Sequence, residues 1–116
     1  MSAMPIIRTA IPKRRYRVGD YSVTVLGEID SGDGVAYRYI MAFVPDGQPK
    51  PTFYVCAEKN RPGGDAAYRL RVVSSAMSEV VDQDDRWGDL DAFAEEALRI
   101  GRGALGLAQE QAVRLT

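Results

Sequence analysis

"YSVTVLGEIDSGDGVAYRYIMAFV", residues 21–44, is the stretch that decides the fold. Tyr21, Val23, Val25 and Ile29 alternate with Ser22, Thr24 and Glu28, the period of two that marks a half-buried strand. After Ser31-Gly32-Asp33-Gly34 the alternation resumes, with Tyr37, Tyr39, Met41 and Phe43 on one face and Ile40, Ala42 and Val44 on the other. Two such runs around a flexible, glycine-bearing link predict a β-hairpin. The competing reading is an acidic loop that holds calcium, and it fails on ligand supply. Asp30 and Asp33 are the only carboxylates between Ser22 and Ala36 apart from Glu28, and no bidentate Glu closes the loop.

Working toward the C-terminus, "PDGQPKP" and "KNRPGGD" are turn clusters that bracket further strands in "TFYVCAE" and "AAYRLRVVSS", and a shorter one follows in "AMSEVV". In the fourth run Tyr68, Leu70 and Val72 face inward, and Arg69 and Arg71 face outward. No helical period intervenes, so the strands predict an antiparallel meander. Beyond "DQDDRWGD" the period changes: Leu90, Phe93, Ala94, Ala97, Leu98 and Gly101 recur at three and four. A helix is therefore expected from Asp89, whose carboxylate caps the first amides, with Asp91, Glu95 and Glu96 near the positive end of its dipole. Leu105, Ala108 and Ala112 continue the face, which predicts either a bend near Gly101–Gly106 or a second helix.

The expected fold is α+β: an antiparallel meander sheet of four to five strands with a C-terminal helix packed on one face. Leu90, Phe93, Leu98 and Leu105 would cover Val23, Val25, Tyr39, Met41, Phe53 and Leu70. Residues 1–15, broken by Pro5 and Pro12, are expected to form a flexible basic arm, and 16–116 a single domain. The element order, strands then a helix, is similar to that of the single-strand-binding transcriptional cofactor fold. No motif accompanies that similarity, and it assigns no residue a role.

Composition narrows the chemistry. The chain has 116 residues, one cysteine and no histidine. Cys56 alone can build neither an internal disulfide nor a cysteine zinc site, and a reducing, cytoplasmic location is the expectation. Without histidine, the common nucleophile–base pairs and the usual neutral-pH proton carrier are gone. No set of residues forms a credible acid, base and nucleophile together, so an enzyme ranks third among the readings, and no cofactor or metal is expected. No run of about 18 apolar residues is present to span a bilayer. "GRGALG", from Gly101, fits the letters of a dinucleotide loop but follows a helix, so its glycines are better read as letting that helix approach the sheet or another helix. Asp82 and Asp84 have the spacing of a calcium loop, yet Arg86 and Trp87 occupy the next ligand position and the required glycine.

Net charge is −1, but its distribution is uneven. Residues 1–17 carry Arg8, Lys13, Arg14, Arg15 and Arg17 with no acid, whereas residues 79–96 are acidic apart from Arg86. Two functional classes follow. One is a non-catalytic interaction module, a homodimer that binds a protein partner through Asp82, Asp84 and Asp85 or through an apolar sheet face. Self-association is expected because the second face mixes Leu26, Ile40 and Val44 with polar residues and is too apolar to be left wet. The other is a binder of single-stranded nucleic acid, or of anions, through Arg14, Arg15, Arg17, Arg38, Tyr54, Arg69 and Arg71. Cys56, by parity with Tyr54 and Glu58, is expected on that more polar face and partly exposed.

Overall fold

A computed structural model describes residues 4–116. The strands are β1 (Ile7–Val18), β2 (Tyr21–Ser31), β3 (Tyr37–Pro45), β4 (Phe53–Lys59), β5 (Tyr68–Ser74) and β6 (Ser78–Gln83). A 3-10 turn (Asp85–Gly88), helix α1 (Leu90–Ala104) and a short β7 (Ala112–Arg114) complete the chain. All seven strands form one antiparallel sheet in the order β6-β5-β4-β3-β2-β1-β7. The expected α+β arrangement and the helix on one face are present, but the sheet has seven strands rather than four or five. Among the described residues no helix is long and apolar enough to cross a membrane.

Both additional strands come from segments with no clean period. The basic stretch expected as an arm is, from Ile7 onward, strand β1 paired along β2. Residues 1–3 of that stretch lie outside the described residues. Pro12 sits where the β1–β2 register shifts, and β7 covers β1 only at Tyr16–Val18, so the missing amide costs no ladder bond on the open side. At the other end neither a bent helix nor a second helix forms. Helix α1 stops at Ala104, Gly106 takes a left-handed φ of 71°, and Ala112 then pairs with Val18.

Asp89 caps α1 as expected, its side chain accepting from Ala92 N at 2.9 Å. The helix lays Phe93, Ala94 and Ala97 onto Val23, Val25, Tyr39, Met41, Phe53 and Leu70, with Leu90, Leu98 and Leu105 at the margin. Tyr39 meets Phe93 at 5.4 Å between ring centroids, and Gly101 lets the backbone settle on the Phe43 ring.

A second, smaller core fills the opposite face. Tyr37, Ile40, Ala42, Tyr54, Cys56 and Val73 are buried there beneath Met4, Ile7, Leu26, Ile29 and Val35. It exists because the alternation breaks twice. β2 pairs with β3 only as far as Leu26↔Ile40, and just beyond this Glu28 adopts a positive φ of 48°. The β3–β4 register likewise shifts between Tyr37 and Tyr39. Each irregularity reverses the parity, so Ile29 and Tyr37 turn to the face opposite Val25 and Tyr39. The N-terminal segment then closes over them. Cys56 is consequently fully buried, not partly exposed, and its thiol is pushed up by that burial and by the Glu58 charge. The chain's own N-terminal residues thus supply the cover that self-association was expected to give this part of the face.

Candidate functional site: a buried carboxylate between two arginines beside an open strand edge

Asp33, the residue that made the first hairpin look like a metal loop, is a structural hub. Its carboxylate accepts from Tyr37 Oη at 2.7 Å, Val35 N at 3.0 Å and Ile6 N at 3.1 Å. Burial pushes its pKa up, but these hydrogen bonds outweigh that, and the net shift is downward. Tyr37 is pushed up by burial and by the same carboxylate.

On this face β4 and β5 place Glu58, Arg69 and Arg71 together. Glu58 is the one buried charged residue among the described residues, with 3% of its surface exposed. Arg69 Nε donates to its Oε1 at 2.7 Å, and Arg71 Nε reaches Oε2 at 3.1 Å. The network continues outward on both sides. Arg69 Nη1 donates to Asn60 Oδ1 at 2.7 Å, and Asn60 Nδ2 donates to Ala66 O and Gln83 Oε1, each at 3.0 Å. Arg71 Nη1 donates to Ser78 Oγ on β6 at 3.3 Å. Above the network lies a depression of about 260 Å³, lined also by Asp33, Val35, Tyr37 and Val73. In the sequence Glu58 serves only to mark the polar face of its strand. Its signal was available in the register, since a carboxylate beside two arginines on an otherwise apolar strand pair marks a charge that needs partners.

The residues expected to hold nucleic acid are divided between the two faces and are spread out along the one that carries most of them. Arg15 and Arg17 lie on this face at β1, four strand positions from Arg69 and Arg71 on β5, which is about 19 Å at ordinary strand spacing. Arg17 forms a two-point contact with Asp46, and Arg14 turns to the helix side and pairs with Asp91. Arg38 is carried away by the bulge at Tyr37–Tyr39, so its Nε donates to Gly88 O at 3.2 Å and its guanidinium stacks over Tyr39. Tyr54 does share a face with Arg69 and Arg71, but its ring is buried in the second core. Arg15 is exposed and has no acidic partner among the described residues.

The acidic segment is partly engaged in shaping its own backbone. Asp82 Oδ2 accepts from Trp87 Nε1 at 3.0 Å, Asp84 caps the 3-10 turn through Arg86 N at 2.9 Å, and Asp85 accepts from Ala67 N at 2.6 Å. Among the described residues no three Asp, Glu or Cys side chains converge as a metal would need.

β6 itself forms one edge of the sheet, with no neighbour beyond it among the described residues. Met77, Val80 and Val81 are 36%, 37% and 46% exposed, and a register shift between Val80 and Asp82 leaves Val81 outside the ladder. From 77 to 85 the chain carries Glu79, Asp82, Asp84 and Asp85 with no lysine or arginine. Glu79 pairs with Val72 of the helix-side core, and Asp82 bonds Trp87 of that same core, so both carboxylates lie toward α1. At the opposite end β7 covers β1 only at Tyr16–Val18, and along the rest of β1 Pro12 withholds an amide donor and Lys13 adds a charge. No protein-family model, curated protein or solved structure matches this chain.

Proposed function

We propose that the protein is a non-catalytic interaction module that captures an extended, basic segment of another protein by strand addition at β6. The observation that carries this reading is the open β6 edge, where exposed valines stand in an acidic run. An added strand gains main-chain hydrogen bonds from the edge, and its alternate side chains meet the pockets and charges on each face. A second copy of this chain is a poor occupant. Antiparallel self-pairing would align Glu79 and Asp82 of both copies along one face, and like charges set opposite each other destabilise a strand pair. Lysine or arginine on the α1 side of the incoming strand turns that repulsion into attraction.

Single-stranded nucleic acid draws less support. Tyr54 is buried, and Arg14, Arg17, Arg69 and Arg71 already pair with Asp91, Asp46 and Glu58.

The test is fluorescence anisotropy with a labelled peptide alternating lysine and valine, set against one alternating glutamate and valine. The basic peptide should bind and weaken with salt, and Glu79→Lys combined with Val81→Lys should weaken it about tenfold or more. Equal binding of both peptides, binding of neither, or indifference to the edge substitutions would sink the proposal. A labelled single-stranded oligonucleotide in the same titration tests the other class. Tight, salt-sensitive binding that depends on Arg15 would replace strand capture with nucleic-acid binding.

A further inference from the structure

The remaining ion pairs of the described residues match one cation to one carboxylate: Lys13 with Glu28, Arg14 with Asp91, Arg17 with Asp46, Arg86 with Asp84 and Arg99 with Glu96. Glu58 breaks that pattern, because Arg69 and Arg71 share it. Each guanidinium carries five N–H donors in a fixed fork. Glu58 holds both by Nε, and Asn60 and Ser78 each take one Nη1 hydrogen, so neither Nη2 group has an acceptor among the described residues. The two arginines stand two residues apart on β5, hence on one face and about 7 Å apart along the strand. Their shared carboxylate is sunk beneath them, and Asp33, the other acid lining the depression, is already engaged by Tyr37 Oη, Val35 N and Ile6 N, so the two Nη2 groups are the donors left over it.

We propose that this depression binds a small carboxylate, with Arg71 and Ser78 holding its head and Val35 and Val73 flanking a short apolar body. Guanidinium forks suit the planar, two-oxygen geometry of a carboxylate, and charge-assisted hydrogen bonds of this kind are the strong ones. Ser78 Oγ accepts from Arg71 and so keeps its own hydrogen to donate. Glu58 sets the strength of the site by occupying one face of both guanidiniums. It holds them rigidly, which lowers the ordering cost of binding, and it limits affinity by neutralising part of their charge. At about 260 Å³ the depression admits a ligand of a few carbons and excludes a drug-sized one. The site is independent of strand capture at β6, since it needs no backbone pairing.

The experiment is an NMR titration of the labelled protein with butyrate, with butylamine and sodium chloride at matched ionic strength as controls. Butyrate should give saturable, millimolar shifts centred on Arg71, Val73 and Ser78, and the two controls should not. Arg71→Gln should abolish saturation, whereas Arg99→Gln on the helix surface should leave it unchanged. Glu58→Gln removes the internal competitor and should tighten butyrate binding about tenfold. Shifts that do not saturate, that butylamine or chloride reproduces, or that survive Arg71→Gln would overturn the proposal. Should Glu58→Gln fail to fold, the Arg71 and Arg99 comparison still decides it.

Discussion

Replacing Gly101 by alanine sets two effects of opposite sign against each other. Alanine is the better helix former by about 1 kcal/mol, and Gly101 lies inside α1, so propensity alone favours the substitution. The added Cβ, however, would stand 2.7 Å and 2.8 Å from the two Cε atoms of Phe43, with Cζ closer still. Carbon atoms prefer about 3.5–4.0 Å. Phe43 has no exposed surface and meets Phe53 edge-on at 5.6 Å, so the ring has no empty space into which to move. Overpacking of this kind costs about 1–3 kcal/mol, and a contact this close belongs at or above the top of that range. The expected net loss is about 2 kcal/mol, or a fall in Tm of roughly 8 °C for a domain of this size. Gly103 supplies the control. It lies in the same helix with nothing within 4 Å of its ideal Cβ, so Gly103→Ala should stabilise by about 0.5 kcal/mol so near the helix end. Urea unfolding of both variants, of Phe43→Leu and of Gly101→Ala combined with Phe43→Leu closes the double-mutant cycle. The smaller side chain should recover part of the loss, giving a coupling energy of about 1 kcal/mol. A Gly101→Ala protein as stable as the parent would refute the close approach of α1 to β3.

Two further outcomes follow from burial and charge. Asp33, Asp46, Asp91, Glu28 and Glu96 all titrate below their ordinary values, the first through its three hydrogen bonds and the others through hydrogen bonds from Arg17, Arg14, Lys13 and Arg99. Their stabilisation is therefore fully present above about pH 5 and is lost as pH falls through the depressed folded values. With no histidine and a buried thiol, stability should be flat from about pH 5 to 8, and a titration step in urea midpoints within that interval would contradict this reading. Cys56 should resist a thiol-specific reagent in the native protein and react fully in denaturant. Stoichiometric labelling of the native chain within minutes would show that the second core is open.

The sheet and the helix were legible because their signals are local. The alternation through Val23 to Phe43, the cap at Asp89 and the spacing from Leu90 to Leu98 each depend on neighbours in sequence. β1 was illegible because its register on β2 shifts between Ile7 and Thr9, between Thr9 and Ile11 and between Pro12 and Arg14, which erases any period. β7 was illegible because three residues carry no period at all, and Val18 recruits them from across the chain. Of the residues expected to bind nucleic acid, Arg14 and Arg38 lie toward α1, apart from Arg15, Arg17, Arg69 and Arg71, and Tyr54 is buried in the second core. Parity counted along a strand assumes an unbroken ladder, and the bulge at Tyr37–Tyr39 carries Arg38 to Gly88, whereas Arg14 shares the parity of Tyr16 and Val18 and so meets Asp91 on the helix side.

Those same irregularities create the polar site. If the alternation of β2 and β3 had continued unbroken, Ile29 would have joined Val25 and Tyr37 would have joined Tyr39 beneath α1. The second face would then have been left with exposed Ile40 and Cys56, and Glu58 would have stood in water, where an ion pair with arginine contributes little. With Ile29 and Tyr37 turned over, the N-terminal segment packs on this face, and the buried Tyr37 stands opposite Glu58 in the β3–β4 ladder. A carboxylate so placed must keep partners, and Arg69 and Arg71 are the cations in reach. The small core and the charged cluster thus adjoin on one face: Tyr37, turned into the core, stands opposite Glu58 in the ladder, and the buried charge fixes two arginines at the rim, beside the open edge of β6.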